Sequence, residues 1–347
     1  YGPPRVTSET TRDRAAATPG TLVVRLRNWV GDVLLGLPML QRAADAGYTL
    51  QLVGKGWARD LLAGHGWPVQ PLPKAFGERV RLLRGLRAAG RAEAGPEAGR
   101  GAGRRIDALC LPYSFSSALE FRLAGLHAIG HAHEGRSLLL AQALPRDRGA
   151  HELAVYWQVG DALLGRAAAL PERIALKLAP PHREAAAVLR GQHGLAVAPV
   201  IVCPFAGGTF DKQDKTWPAF AAFVRDELVP RATAAGRRVV LCPGPGEEAI
   251  ARAAFPSALT LEGVGLGTYA ALLAEAALMI SNDTGPGHIA AAVGTPLLSV
   301  LGPTDPDRWR AWGPSVQWLG GRGRWPEPAE VLAATLDRLA QAQAQGH

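Results

Sequence analysis

Four short stretches hold residues whose types and spacing suit group-transfer chemistry. Asn28-Trp29-Val30-Gly31-Asp32 closes an apolar run and leads into a helical pattern. A carboxylate at such a turn is either a helix N-cap or a general base for an attacking hydroxyl. Phe205-Ala206-Gly207-Gly208-Thr209, followed by Lys212 and Lys215-Thr216-Trp217-Pro218, is a glycine-rich turn after another apolar run. Its backbone N–H groups and Lys215 suit a diphosphate; the plainer alternative is a flexible loop with solvated lysines. Ser281-Asn282-Asp283-Thr284-Gly285-Pro286-Gly287-His288 follows a strand and opens an alanine-rich helix. Thr284, Gly285 and Gly287 at that helix start suit a phosphate cradle, Asp283 suits sugar hydroxyls, and His288 suits a phosphate oxygen. The same small residues also permit close helix–sheet packing, and His288 also suits a polar cap over a buried helix face. Gly244-Pro245-Gly246-Glu247-Glu248-Ala249 matches G-x-G-x-x-A, with Glu262 eighteen residues beyond Gly244, which mimics a dinucleotide fingerprint. Pro243 and Pro245 stiffen that turn, so Glu247 is read either as a ribose ligand or as an acid favouring a first helical turn.

Metal signals do not converge. Asp305-Pro306-Asp307 is a D-x-D inside a Gly-Pro-Thr-Asp-Pro turn. His151-Glu152 lacks a second histidine at the zincin spacing, and His131 and His133 lack further ligands nearby. There is no Walker A and no G-x-S-x-G elbow. No metal and no cofactor are expected.

These stretches sit at the junctions of an alternating pattern. Strands are predicted at Leu22–Leu26, Tyr48–Val53 and Ile106–Leu111, with helices at Val33–Ala46, stopped by Gly47, and at Ser116–Leu126. Between them, residues 78–105 read as an amphipathic helix and then a glycine-rich loop. Pro, Arg and Ala dominate from Pro171 to Pro199, with a helix at His182–Arg190, and the domain junction is expected there. The alternation then restarts, with strands at Val200–Cys203, Arg238–Cys242, Leu259–Leu261, Leu278–Ser281 and Pro296–Leu301. The helices between them are Pro218–Glu227, Glu247–Ala254, Thr268–Ala276 and Gly287–Val293, and a last one follows at 327–342. Strand–helix–strand repetition implies parallel sheets, and two such units facing a cleft hold ligands at the carboxyl ends of the strands. The expected organisation is a polar leader outside the folded body at 1–18, an N-terminal domain at 19–175, a C-terminal domain at 176–326, and a closing helix and tail at 327–347.

Composition limits the classes. Of 347 residues, 48% are hydrophobic, enough for two cores. Thirty-eight Lys and Arg against 30 Asp and Glu give a net charge of +8, which suits an anionic partner. Only Lys55, Lys74, Lys177, Lys212 and Lys215 are lysines, so arginine runs carry less weight than usual. Cys110, Cys203 and Cys242 form no disulfide or zinc spacing and fit a reducing cytoplasm. No apolar run is long enough to span a bilayer, and the leader has no apolar signal core.

In this order the motifs resemble glycosyltransferase family 9, the ADP-heptose:lipopolysaccharide heptosyltransferases. The likeness runs from about Leu22 to Trp312 and rests on Ser-Asn-Asp-Thr-Gly-Pro-Gly-His, then Ala-Ala-Ala-Val-Gly-Thr-Pro-Leu and Leu-Gly-Pro-Thr-Asp-Pro, with Lys-Thr-Trp-Pro in support. Trp-Val-Gly-Asp and Leu111-Pro112-Tyr113-Ser114-Phe115-Ser116-Ser117-Ala118 are most similar to the heptosyltransferase II group. The resemblance implies a GT-B fold of two Rossmann-like domains, and inverting transfer from ADP-heptose without an essential metal. It implies Asp32 as the base, and Lys215 with Thr284, Gly285, Gly287 and His288 on the diphosphate. Asp283 would hold the heptose, Glu247 the ribose, Thr209 a phosphate, and Val264 would wall the adenine. Gly31, Tyr113, Ser114 and Ser117 would face the acceptor, a phosphorylated lipid A-core saccharide at the cytoplasmic face of the inner membrane. Tyr113 departs from the usual Asn of that group, which bears on the acceptor, and Gly287 departs from a larger residue, often Met, which bears on the sugar pocket.

Three rival readings remain at this level. One is a related transferase with another nucleotide sugar; one is an NAD-binding oxidoreductase built on Gly244–Ala249 and Glu262; one is a non-catalytic lipid A-core binder. Eight arginines between Arg79 and Arg105, opposed by Glu93 and Glu97, suit peripheral contact with an anionic membrane. They lack the interleaved aromatics of a nucleic-acid site.

Overall fold

A computed structural model describes residues 19–94, 106–207, 209–210 and 213–344. Residues 1–18, 95–105 and 345–347, with Gly208, Asp211 and Lys212, lie outside the described residues.

Central strands of a parallel sheet are covered on both faces and read as unbroken apolar runs. The first sheet comprises β1 (Thr21–Arg25), β2 (Thr49–Gly54), β3 (Val69–Pro71), β4 (Ala108–Cys110), β5 (Ala128–His131) and β6 (Gln142–Leu144). The second comprises β7 (Val200–Cys203), β10 (Val239–Leu241), β11 (Leu259–Thr260), β12 (Leu278–Asn282), β13 (Leu297–Leu301) and β14 (Val316–Gly320), with a hairpin of β8 (Thr209–Phe210) and β9 (Gln213–Asp214) after β7. The orders are β3-β2-β1-β4-β5-β6 and β11-β10-β7-β12-β13-β14, all parallel. Both are the doubly wound order that reverses beside its first strand, so each sheet opens a ligand crevice there. The two-sheet α/β architecture expected from the sequence is therefore observed.

The helices are α1 (Val30–Asp45), α2 (Trp57–Leu61), α3 (Phe76–Ala94), α4 (Phe115–Ala124), α5 (Glu152–Leu164), α6 (Pro180–Gln192), α7 (Phe220–Phe223), α8 (Val229–Ala234), α9 (Glu248–Ala254), α10 (Leu266–Ala274), α11 (Gly285–Val293), α12 (Pro306–Trp309) and α13 (Pro328–Ala344). Gly47, at φ 92°, ends α1 as expected: its N–H donates to Ala44 O and the Tyr48 N–H to Ala43 O, a Schellman closure. One expectation needs correction and one element is added. The helix predicted to stop at Glu227 continues through a π turn at Val224–Leu228 into α8, because Pro230 has no N–H and the wider turn absorbs the missing bond. The sequence pattern assigns no element after His151, where α5 forms and buries Leu153, Tyr156, Val159 and Leu163 along one face.

Three apolar clusters build the body. α3 and α4 cover the outer face of the first sheet around Leu83, Ala118 and Phe121. Trp217, Phe220, Phe223 and Phe255 pack with Val331 of α13 over the outer face of the second. The third cluster is shared: it runs from Leu22 and Leu34 through Tyr156 to Leu272 and Ile289, so α1, α5, α10 and α11 form one layer between the sheets.

Within that layer the starts of α1 and α11 touch. A Cβ on Gly285 would stand 2.7 Å from Val30 Cβ, and one on Gly31 would stand 2.9 Å from His288 Cδ2. Gly285→Ala should therefore lower the unfolding free energy by about 1–3 kcal/mol, the cost of overpacking. Gly56→Ala, with nothing within 4 Å of its Cβ position, is the control. Urea unfolding of both variants checks this; equal stability of the two would show that the helix starts can slide apart freely.

Candidate active site

The carboxyl ends of β1, β4, β7 and β12 converge on the cleft. Asp32 is the third residue of α1, whose N-cap is Trp29. That corrects the reading of Asp32 as a cap: its carboxylate accepts from the Tyr156 hydroxyl at 3.1 Å and from Arg27 Nε at 3.4 Å instead. Its side chain is 9% exposed, so a small part of it meets the cleft. Tyr156 comes from α5, and its donor role was not legible from the sequence, although the spacing of Leu153, Tyr156, Val159 and Leu163 signals the helix.

Tyr113 stands beside Asp32 in an arginine sandwich. Arg27 Cζ lies 4.3 Å and Arg146 Cζ 4.0 Å from its ring centroid, and its hydroxyl donates to Glu152 at 2.9 Å. Glu152 is fully buried; Arg146 pairs with it at 2.5 Å, and Arg308 of α12 approaches from the other domain at 4.0 Å. Burial and the neighbouring Glu152 push the Tyr113 phenol well above its usual range, so it is a neutral donor. The sequence reading missed Arg27, Arg146 and Glu152; the unpaired positive charge of the chain was the one signal available. Ser114 caps α4, accepting from the Ser117 N–H, while Ser117 is buried and donates to Ser114 O. The expectation that Ser117 faces an acceptor is thus corrected: its hydroxyl is spent on the local turn. Gly31, also expected on the acceptor, packs against the His288 ring.

The opposite wall is built on β12. Lys215 Nζ donates to Asp283 O at 2.8 Å and to Asp283 Oδ2 at 3.3 Å, and Thr304 Oγ1 donates to the same oxygen at 2.8 Å. Asn282, fully buried, accepts from the Trp217 N–H and donates to Pro204 O, which staples the Lys-Thr-Trp-Pro turn and the loop after β7 to the strand end. Thr284 is the N-cap of α11 without a side-chain cap bond, so its hydroxyl is not committed to the helix. The start of α11, the positive end of its dipole, follows directly on Asp283, which Lys215 contacts, and touches the α1 turn that carries Asp32. Burial lowers the His288 pKa, Asp283 and Asp32 oppose it, and Nδ1 is buried without a partner. Gly287 backs onto Ser281, whose Oγ lies 2.7 Å from where a Cβ would stand.

Of the remaining residues, Thr209 lies in the hairpin, paired with Asp214, and its side chain lies outside the described residues. Val264 is half-buried against the shared core. Glu247 accepts from the Gly244 N–H at 2.8 Å, closing its own turn, and Glu262 pairs with Arg252. Asp305 caps α12, accepting from the Asp307 N–H, and Arg322 pairs with both Asp305 and Asp307. The D-x-D is therefore a braced turn. Among the described residues no group of three or more His, Cys, Asp or Glu is disposed to hold a metal.

The sequence model of glycosyltransferase family 9 (heptosyltransferase) matches residues 106–338. The chain belongs to glycosyltransferase family 9. Membership of this family classes it as a glycosyltransferase. Among individual proteins, a lipopolysaccharide heptosyltransferase 3 of Escherichia coli is 32% identical over 137 residues, 33% of this chain and 40% of that protein. The chain thus matches less than half the length of that curated relative. Two solved structures match almost throughout. The ADP-heptose lipopolysaccharide heptosyltransferase II of E. coli superposes with a TM-score of 0.73 at 23% identity, covering 93% of this chain and 99% of that one. A family 9 glycosyl transferase from Veillonella parvula gives 0.76 at 17% identity, covering 94% and 99%. These establish a shared GT-B fold.

Burial makes one pH dependence testable. His65, His131 and His151 are each lowered from the usual 6.5 to about 4, mainly by desolvation. Between those values the unfolded chain binds more protons than the folded one, so stability rises with pH across that window. Urea midpoints should fall steadily from pH 7 to pH 4.5; a flat profile would mean that these rings stay hydrated.

Proposed function

We propose that the chain is an inverting heptosyltransferase that moves heptose from ADP-heptose onto an inner-core saccharide of lipopolysaccharide. The contact of Gly31 with His288 carries the reading, because it sets Asp32 beside the anion-binding start of α11. On this reading residues 19–175 hold the acceptor and 176–326 the donor, with 327–347 closing the body. Asp32 takes the proton of an acceptor hydroxyl as its oxygen attacks the anomeric carbon, on the face opposite the diphosphate. The bond from that carbon to the diphosphate breaks, and the negative charge that develops is met by Lys215 and the α11 dipole. Thr209, Thr284, Gly285, Gly287 and His288 line the phosphates, Asp283 holds heptose hydroxyls, Glu247 the ribose, and Val264 flanks the base. Tyr113 between two guanidiniums, with Ser114 nearby, favours an anionic group on the acceptor. No metal takes part.

The test is incubation with ADP-heptose and truncated core acceptors in EDTA, with the product identified by mass. A heptosylated acceptor and free ADP are expected. Asp32→Asn should bind donor normally and lose roughly 10²–10⁴-fold in turnover, the usual worth of a general base. Near-normal turnover would remove Asp32 from that role, and a strict metal requirement would overturn the metal-free mechanism.

We further propose cytoplasmic, peripheral contact with an anionic membrane. No helix among the described residues is long and apolar enough to cross a bilayer. Arg81, Arg84 and Arg91 line the exposed side of α3, next to residues 95–105 with Arg100, Arg104 and Arg105. Each basic residue at an anionic surface is worth about 1 kcal/mol, screened by salt. Co-sedimentation with anionic but not neutral vesicles, weakened by Arg81→Gln with Arg84→Gln and lost at high salt, is expected; equal binding to both vesicle types, or to neither, would refute the contact.

A further inference from the structure

Trp29 has no structural reason to be a tryptophan. It is the N-cap of α1, where Ser, Asn or Asp would satisfy a free helix amide, and its side chain makes no cap bond. It is nevertheless 62% exposed, more than any other aromatic residue among the exposed large hydrophobics. Tryptophan is usually well buried, and leaving so much indole in water is unfavourable.

Its location is informative. Trp29 precedes Asp32 by three residues, at the same helix start. Val30 there is covered by Gly285 and Gly31 by His288, so the indole is the open apolar surface of that turn. The ring reaches toward the other domain: its Cζ3 lies 3.8 Å from where a Cβ would stand on Gly207, in the loop that leads to Lys215. Its N–H has no hydrogen-bond partner among the described residues. A flat π face flanked by an N–H donor, at the mouth of a cleft, suits a sugar ring: axial C–H groups stack on the negative face and a hydroxyl oxygen accepts from the N–H.

We propose that Trp29 is the platform on which the acceptor sugar ring stacks, presenting its hydroxyl to Asp32. The proposal rests on the reading of Asp32 as the base. A hydroxyl within about 2.6–3.2 Å of that carboxylate belongs to a ring lying over the first turn of α1. Stacking fixes the plane of that ring, and the Tyr113 side fixes its anionic end. Trp29 belongs to the domain that carries Asp32, and its ring edge meets the Gly207 loop of the other domain, so the donor KM is the measurement that separates an acceptor platform from a donor contact.

The experiment uses the full chain, ADP-heptose and an inner-core oligosaccharide freed of lipid. Wild type, Trp29→Ala, Trp29→Leu and Trp29→Phe are compared by acceptor and donor KM, by kcat, and by saturation-transfer NMR of the oligosaccharide. Trp29→Ala and Trp29→Leu should raise the acceptor KM roughly tenfold and weaken the NMR signal, as loss of one aromatic contact does. Trp29→Phe should recover most of the loss, donor KM should not move, and thermal unfolding should stay unchanged. An unchanged acceptor KM in Trp29→Ala, equal loss in the Phe and Leu variants, a rise confined to the donor KM, or no oligosaccharide signal in wild type would each overturn the platform. Failure of the base reading looks different: Asp32→Asn would then turn over normally while Trp29→Ala still lost acceptor binding.

Discussion

Two helix starts meet across the cleft because each is bare where the other presses on it. Gly285 yields to Val30 and Gly31 yields to His288. A methyl group at either glycine would overlap its neighbour, so the closeness of the domains is set by two missing side chains. The shared apolar layer supplies the force that pulls them together, since Leu34, Tyr156, Leu272 and Ile289 belong to one cluster. The chemistry follows from that closeness. A carboxylate on one helix and the positive start of the other come to face the same small volume, from which water can be excluded when substrates fill it.

Charge inside this volume is arranged in small closed sets. Asp32 is held by Tyr156 and Arg27, Asp283 by Lys215 and Thr304, and Glu152 by Tyr113 and Arg146. Buried ion pairs of this kind roughly break even in stability, because desolvation offsets their attraction. Their value lies in orientation: each carboxylate is fixed by at least two donors on different elements. Arginines outnumber carboxylates on the Tyr113 side, where Arg27, Arg146 and Arg308 share Asp32 and Glu152. The field there favours a negatively charged substrate.

The two departures from the family pattern now have physical content. At Gly287 a Cβ would stand 2.7 Å from the buried Ser281 Oγ, so a larger side chain there requires that hydroxyl to turn away. Tyr113 is not a simple exchange for a small amide: its ring is clamped between guanidiniums and its hydroxyl is tied to a buried carboxylate.

Much of the fold was legible from local pattern. Apolar runs of strand length, glycine stops and helix periodicity mark β1, β7, β12 and β13 and the helices between them, since those signals depend on near neighbours in the chain. The short strands β3, β5, β6 and β14, all but β5 at a sheet edge, were not readable, because three to five residues carry too little periodicity and their pairing comes from the sheet. The same division runs through the site. Asp32, Lys215 and the 281–288 block stand out because glycines and charged residues cluster at strand ends, a one-dimensional feature. Tyr156, Arg27, Arg146 and Glu152 do not, because their roles depend on how separate elements pack: Tyr156 is 124 residues from Asp32, and Tyr113 is 39 residues from Glu152. The sequence by itself determined two doubly wound units and the chemistry of their strand ends. Only the tertiary structure decided which residues orient that chemistry, that Asp32 is not a cap, and that Ser117 is buried, because burial and cross-domain contact are properties of packing and not of local order.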